Sequence, residues 1–163
     1  QRLYEKVIEY ADLSGTETVL DAYCGTGTIG MIAAPHAGHV IGVELNRDAV
    51  RDAVAGAKEN RISNIRFYQA DAGELAVEIA EEGDQVDVVL MDPPRTGSSE
   101  KFLKALTVLK PKKIVYVSCN PETLVRDLKY LCGNGYQMKK GVAVDMFPFT
   151  DDVETVVSLI RIK

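Results

Sequence analysis

No apolar run in this 163-residue chain approaches the roughly 20 residues that a membrane span requires. The opening residues, Gln1, Arg2, Leu3, Tyr4, Glu5 and Lys6, hold no signal-peptide core, so nothing directs the chain to export. Cysteine is scarce. Cys24, Cys119 and Cys132 are too few and too scattered for a disulfide framework or a CxxC metal site, and no metal is expected. A reducing, cytoplasmic setting is the simpler reading. The two histidines, His36 and His39, show no partner pattern. A basic excess is also missing: 19 Lys and Arg stand against 24 Asp and Glu, a net charge of -5. A nucleic-acid binder working alone normally carries a basic footprint, so an RNA or DNA role needs help from segments outside this chain. The first residue is Gln and not Met, which points to a piece of a longer polypeptide.

What is present is globular: 46% hydrophobic and 26% charged residues, enough apolar material for a core and unlike a disordered chain. No repeat, low-complexity stretch or linker interrupts it, so one domain over 1–163 is expected. Leu3, Val7, Ile8 and Ala11 predict a leading helix that ends near Ser14 and Gly15. Strands are expected over 18–22, 39–44, 65–70, 86–91 and 113–117, with helices over 47–60, 74–82, 102–109 and 122–132 between or after them. Two last strands, 136–145 and 153–162, flank a loop over 146–152. Alternating strands and helices mean a mostly parallel sheet covered on both faces. The final pair lacks a helix between its members and should form a hairpin, putting an antiparallel strand at the end of the sheet. That detail separates the class I methyltransferase architecture, which is Rossmann-like, from a dinucleotide-binding Rossmann domain. Ligands of such sheets bind beyond the strand carboxyl ends. Asp21, Glu44, Asp71, Asp92 and Cys119 all fall there and should converge on one rim.

Gly25, Gly27 and Gly30 form G-x-G-x-x-G between a strand and a helix, which lets backbone approach a ligand closely. Alone, the pattern fits a nicotinamide cofactor as well. Three carboxylates shift the balance. Asp21, just before the loop, would repel a pyrophosphate but suit a sulfonium or an ammonium. Glu44 ends the second strand, where its two oxygens can accept from both ribose hydroxyls. Asp71 ends the third, placed to accept from an adenine amino group. S-adenosylmethionine has one adenosine, no phosphate and a cationic centre, and the acidic rim suits it. Plain strand-end or capping roles for Asp21 and Asp71 remain the bland alternative. Tyr23 can stack on the donor or serve as a packing aromatic.

Asp92, Pro93, Pro94 and Arg95 follow the fourth strand, and the prolines fix the backbone that presents Asp92. Such a motif alone suggests amino-group methylation of adenine or glutamine, but an aromatic usually follows the prolines there. Ser118, Cys119, Asn120 and Pro121 follow the fifth strand. A lone core cysteine is usually inert, yet Cys119 begins a helix, where amide groups and the dipole favour a thiolate. Cys24 and Cys132 fit the inert reading better. Glu154 begins the last strand and, on the bland reading, is a solvated residue. Lys110, Lys112, Lys113 and Arg126 are candidates to touch phosphate, with ordinary solvated charge the stronger reading.

Together, the Asp-Ala-Tyr-Cys-Gly-Thr-Gly loop from Asp21, Asp-Pro-Pro-Arg from Asp92, Ser-Cys-Asn-Pro from Ser118 and the ending Met146 to Glu154 resemble the RNA (uracil-5-)methyltransferase family over almost the whole chain. The rRNA and tRNA members of that family make 5-methyluridine. The resemblance implies Cys119 as nucleophile, Glu154 as general base, and Tyr23, Glu44 and Asp92 as contacts to the methyl donor. It tilts the substrate toward ribosomal RNA (23S rRNA). The family commonly has His-Val-Glu where Asp152, Val153 and Glu154 stand, and a polar residue or His at Phe149; the departures put the hydrogen-bond partners of Glu154 in doubt. It also implies N-terminal modules, often a TRAM RNA-binding domain and in some members an iron–sulfur cluster, which this chain does not include. The competing readings are a methyltransferase acting on an adenine amino group or a protein side chain, a nicotinamide-dependent oxidoreductase, and a non-catalytic module that binds a nucleoside or RNA.

Overall fold

The computed structural model describes residues 2–145 and 153–162. In chain order the elements are α1 (Arg2–Ala11), β1 (Thr18–Ala22), α2 (Thr28–Ala33), β2 (His39–Glu44), α3 (Arg47–Glu59), β3 (Ile65–Gln69), α4 (Ala72–Glu82), β4 (Val88–Met91), α5 (Glu100–Leu109), β5 (Lys113–Ser118), α6 (Pro121–Gly133), β6 (Tyr136–Val144) and β7 (Glu154–Arg161). They build one seven-stranded sheet in the order β3-β2-β1-β4-β5-β7-β6. The first five strands in that order pair parallel, and β7 runs antiparallel to both of its neighbours. This is the mixed, mostly parallel α/β sheet expected from the alternation of elements. None of the described helices is long and apolar enough to cross a membrane.

One expectation needs correction. The antiparallel strand is not at the end of the sheet: β7 inserts between β5 and β6, and β6 takes the edge. Composition explains the order. β7 carries Val156, Val157, Ser158 and Leu159 in succession, all buried, the continuous burial of a strand covered on both faces. β6 exposes Gln137, Met138, Lys139 and Lys140, and lysines on an edge strand discourage pairing with another chain.

Helices cover both faces of the sheet. On one, Leu3, Val7, Tyr10 and Ala11 of α1 pack with Ile29 and Ala33 of α2 over Val19, Val40, Leu90 and Val115. On the other, α4, α5 and α6 bury Leu75, Ile79, Phe102, Leu106, Leu124 and Leu131 over Leu20, Val89 and Ile114. Some boundaries move from their expected places because caps decide them. Asp71 accepts from the Glu74 amide and Ser99 from the Phe102 amide, so α4 and α5 each begin about two residues earlier than apolar spacing suggests. At the other end of α1, Asp12 adopts a left-handed conformation with φ 51° and stops the helix at Ala11, short of Ser14.

Candidate active site

Register aligns the carboxyl ends of the central strands. Ala22 of β1 pairs with Met91 of β4, and Met91 with Tyr116 of β5. The residues that follow these ends, from Tyr23, Asp92 and Ser118 onward, therefore share one rim. Ser118 pairs with Thr155 of antiparallel β7. One step further along both chains stand Cys119 and Glu154. Both therefore follow directly on the last register pair, at the same end of the β5–β7 junction. Asp92 lies within electrostatic reach of Glu154: enclosure by protein on its inner side, and then the charge of Glu154, push its carboxyl up to about 6, while its outer side stays open to solvent.

The glycine loop forms the adjacent wall. Gly25 and Gly27 have φ of 54° and 78°, a region that side chains rarely occupy. A Cβ on Gly27 would also lie 2.5 Å from the Phe67 ring. Glu44 is more constrained than sequence suggests. Its Oε2 accepts from the Gly25 amide at 3.0 Å and its Oε1 from the Asn46 amide at 2.8 Å. Each oxygen keeps a second lone pair, so the clamp orients the carboxylate without exhausting it. Tyr23 takes φ 60°, and its hydroxyl lies 3.0 Å from Ser98 Oγ and accepts from the Ser99 amide at 3.3 Å. The ring meets Phe102 edge-on at 5.4 Å, so it packs and walls the site at once.

Two carboxylates correct the sequence reading in part. Asp71 is a cap as well as a rim residue: Oδ1 accepts from the Glu74 amide at 3.0 Å and lies 3.7 Å from Lys101 Nζ. Asp21 does not reach the rim surface. It is fully buried, with Oδ2 accepting from the Gly30 amide at 2.8 Å and Oδ1 lacking a hydrogen-bond partner. Burial, with a smaller push from Asp92, raises its carboxyl to about 7. Burial and then the charges of Asp21 and Glu44 push the Cys24 thiol far above its ordinary value. That shift disfavours a thiolate at Cys24, and Cys132 lies exposed on α6, away from the rim.

The argument for a helix terminus at Cys119 also changes. Asn120 is the N-cap of α6, its Oδ1 accepting from the Glu122 amide, and Pro121 has no N–H. The nearest donors of the first turn are therefore committed elsewhere, and the thiol is half-buried. What positions it is a brace between loops. Asn120 Nδ2 donates to the Arg95 carbonyl at 3.1 Å, and Thr123 Oγ1 to the same oxygen at 3.3 Å. Lys110, Lys112 and Lys113 stand at the opposite end of the sheet, where Lys112 pairs with Asp87 and Lys113 donates to the Ala11 carbonyl. Phe149 and Asp152 lie outside the described residues.

Sequence reasoning missed a buried hub. Asp127 is fully buried and accepts from Tyr116 Oη at 2.6 Å, from the Ser98 amide at 2.8 Å and from Arg126 Nε at 2.8 Å. It ties β5 and α6 to the loop after Asp92. Its signal was available: Asp127 falls between Leu124 and Leu131 on the buried stripe of α6, where a lone charge demands partners.

Between the glycine loop and the Asp92 loop lies a cleft of about 470 Å3, lined by Tyr23, Glu44, Asp71, Asp92 and Pro94 together with apolar groups. Among the described residues its charged lining is three carboxylates and no cation. Such a lining accepts hydroxyls, amino groups and positive charge, and repels phosphate.

Fold and rim define a domain of the class I methyltransferase kind. The chain belongs to the tRNA (uracil-5-)-methyltransferase family, whose model matches residues 1–162. An uncharacterized RNA methyltransferase of Staphylococcus aureus (strain MRSA252) is 49% identical over 156 residues, 96% of this chain and 34% of that protein. One from Listeria monocytogenes is 47% identical over 157 residues, 96% of this chain and 35% of that protein. The chain thus spans about a third of the length of these relatives. Among solved structures, the tRNA (uracil-54, C5)-methyltransferase of Pyrococcus abyssi, in complex with S-adenosyl-L-homocysteine, superposes with TM-score 0.84 at 37% identity, covering 98% of this chain and 37% of that one. The [4+2]-cyclase SpnF superposes with TM-score 0.77 at 14% identity, covering 99% of this chain and 81% of that one. That likeness shows the fold alone, on which different chemistries are built.

Proposed function

We propose that this domain methylates carbon 5 of a uridine in RNA, with S-adenosylmethionine as donor, through a transient bond between Cys119 and carbon 6. The observation that supports the reading is the Ser118–Thr155 register pair, which puts Cys119 and Glu154 at one end of the β5–β7 junction, beside an acceptor-lined cleft. The donor fits that cleft: Glu44 offers two oriented lone pairs to a ribose, Asp71 and Asp92 suit amino groups, and Tyr23 walls the nucleoside. When bound, the donor supplies an electrophilic methyl group on a cationic sulfur.

Carbon 5 of uracil is a poor nucleophile, and the chain's own residues change that. The Cys119 thiolate adds to carbon 6, forming an S–C bond and driving the ring's electron pair toward carbon 5 and the carbonyl oxygen. Carbon 5 is then nucleophilic and held in place for methylation. Glu154 next removes the proton from carbon 5, the electron pair restores the ring double bond, and the S–C bond breaks to return the thiolate. Asp92 and the backbone of Ser118 to Asn120 orient the ring. The braces from Asn120 and Thr123 to Arg95 hold these two segments together. Because such a base cannot be reached within a duplex, the target is unpaired or flipped out.

The test is a pair of variants given RNA and donor. Glu154→Gln should accumulate a protein–RNA adduct stable to denaturing gels, because the release step fails. Cys119→Ala should give neither adduct nor product. Full activity in Cys119→Ala would overturn the covalent scheme and favour amino-group methylation. The sequence resemblance points to 23S rRNA, whereas the Pyrococcus abyssi relative acts on tRNA. Mapping 5-methyluridine in both RNAs, in cells with and without the gene, separates the two.

A further inference from the structure

A second and larger cleft, of about 850 Å3, opens on the far side of Tyr23 and Pro94, which line both cavities. Its walls are α5 and α6 and its floor is the loop 96–99. We propose that this cleft holds the phosphodiester backbone of RNA next to the target nucleotide, with Lys104 and Lys129 as the phosphate contacts; the proposal rests on the RNA reading above.

Charge contrast is the first argument. The cofactor cleft carries three carboxylates and no cation, whereas the second is lined by Lys104, Arg126 and Lys129 against Glu100 and Asp127. Arg126 and Asp127 neutralise each other at 2.8 Å, and Lys104 has only an exposed contact with Glu100 at 3.8 Å. Lys129 has no acidic side chain within ion-pair distance among the described residues. In a chain of net charge -5, this lining of three cations against two carboxylates is net positive by one, next to a cleft lined by three carboxylates. Lys110, Lys112 and Lys113 lie at the wrong end of the strands.

The second argument is that the floor is built. Arg126 Nη2 donates to the Thr96 and Ser98 carbonyls, each at 3.1 Å, and Asp127 holds the Ser98 amide. Gly97 has φ 78°, and a Cβ there would lie 2.5 Å from Arg126 Nη2, so the backbone sits directly on the guanidinium. Placement is the third argument. Lys129 lies eight residues along α6 from Pro121, about 12 Å at 1.5 Å per residue, a reach that a short unstacked stretch of RNA spans from a base at Cys119. Tyr130 adds an aromatic side chain to the lining, the type on which single-stranded bases stack.

The experiment is Lys104→Ala/Lys129→Ala in the complete protein, with unmodified 23S rRNA and tRNA transcripts as probes. Each phosphate contact contributes about 0.7 to the slope of log affinity against log salt for a single strand. Losing two therefore lowers the slope by about 1.4 and weakens RNA binding about 25-fold at ~0.1 M salt. S-adenosylhomocysteine affinity, read by calorimetry, and kcat at saturating RNA should stay at wild-type values while KM for RNA rises. A control pair at the opposite end, Lys110→Ala/Lys112→Ala, should leave the slope unchanged. An unaltered slope in Lys104→Ala/Lys129→Ala, an equal fall in the control pair, or a parallel loss of S-adenosylhomocysteine binding would each overturn the proposal. Failure of the wild-type protein to form 5-methyluridine in either RNA would instead refute the function above, while the salt slope still reads the cleft.

Discussion

Asp21 is a buried carboxyl whose ionisation works against the fold, and Asp21→Asn measures the cost. The carboxyl is fully buried, one oxygen bonded to the Gly30 amide and the other without a partner. Its ordinary value is near 3.8, and burial, aided by Asp92, raises it to about 7 in the fold. A carboxyl raised on folding binds its proton more tightly in the native state than in the unfolded chain. Its favourable contribution is complete below about pH 4 and declines as pH rises, until the loss is full above about pH 7. At about 1.4 kcal/mol per pH unit over some three units, the fold loses about 4 kcal/mol across that window. Asparagine keeps an acceptor for the Gly30 amide and never ionises. Relative to the wild type, Asp21→Asn should therefore gain up to about 4 kcal/mol between pH 4 and pH 8. Its amide N–H group, facing the position of the orphaned oxygen, lowers the variant's whole curve by about 1–3 kcal/mol at every pH. Urea titrations at pH 4, 6 and 8 give the answer. A stability difference that stays constant with pH would refute the buried-charge argument, whatever its sign.

The remaining predictions concern the clamps. Glu44→Gln turns an amide N–H group toward either the Gly25 or the Asn46 amide, donor against donor. S-adenosylhomocysteine binding should weaken about tenfold or more, read by calorimetry. Asp127→Ala strands the Tyr116 hydroxyl, the Ser98 amide and the Arg126 guanidinium together, and should cost about 3 kcal/mol or more in a urea titration. Tyr116→Phe removes one bond to the same carboxylate and should cost about 1.5–3 kcal/mol; equal losses in the two variants would show that the hub is not shared as drawn.

Period and punctuation made most of the fold legible. β1 and β2 stand at the boundaries that apolar runs and glycines predict, because parallel interior strands must be apolar throughout. The order of the last two strands was harder, since a hairpin says which strands pair but not which takes the edge. The lysines of β6 and the largely apolar stretch of β7 from Val156 to Ile160 carried that information. The strand ends were legible for a similar reason: topology puts the carboxyl ends of the five parallel strands on one side, so the chain at Asp21, Glu44, Asp71, Asp92 and Cys119 had to come to that end of the sheet. What a linear reading could not supply was depth. Asp21 and Asp92 look alike in sequence, yet one is sealed beneath the glycine loop and the other faces the cleft, because α2 lays the Gly30 amide over Asp21. The same blindness hid Asp127. Without the fold, a charge on a helix reads as solvated. Its place between Leu124 and Leu131 instead makes it the point where the Cys119 segment, the Asp92 loop and, through Ser98, Tyr23 are fixed to one another. A site spread over five loops holds its geometry only if such a buried anchor exists, so a polar residue on an apolar stripe near a strand end is the place to look for one.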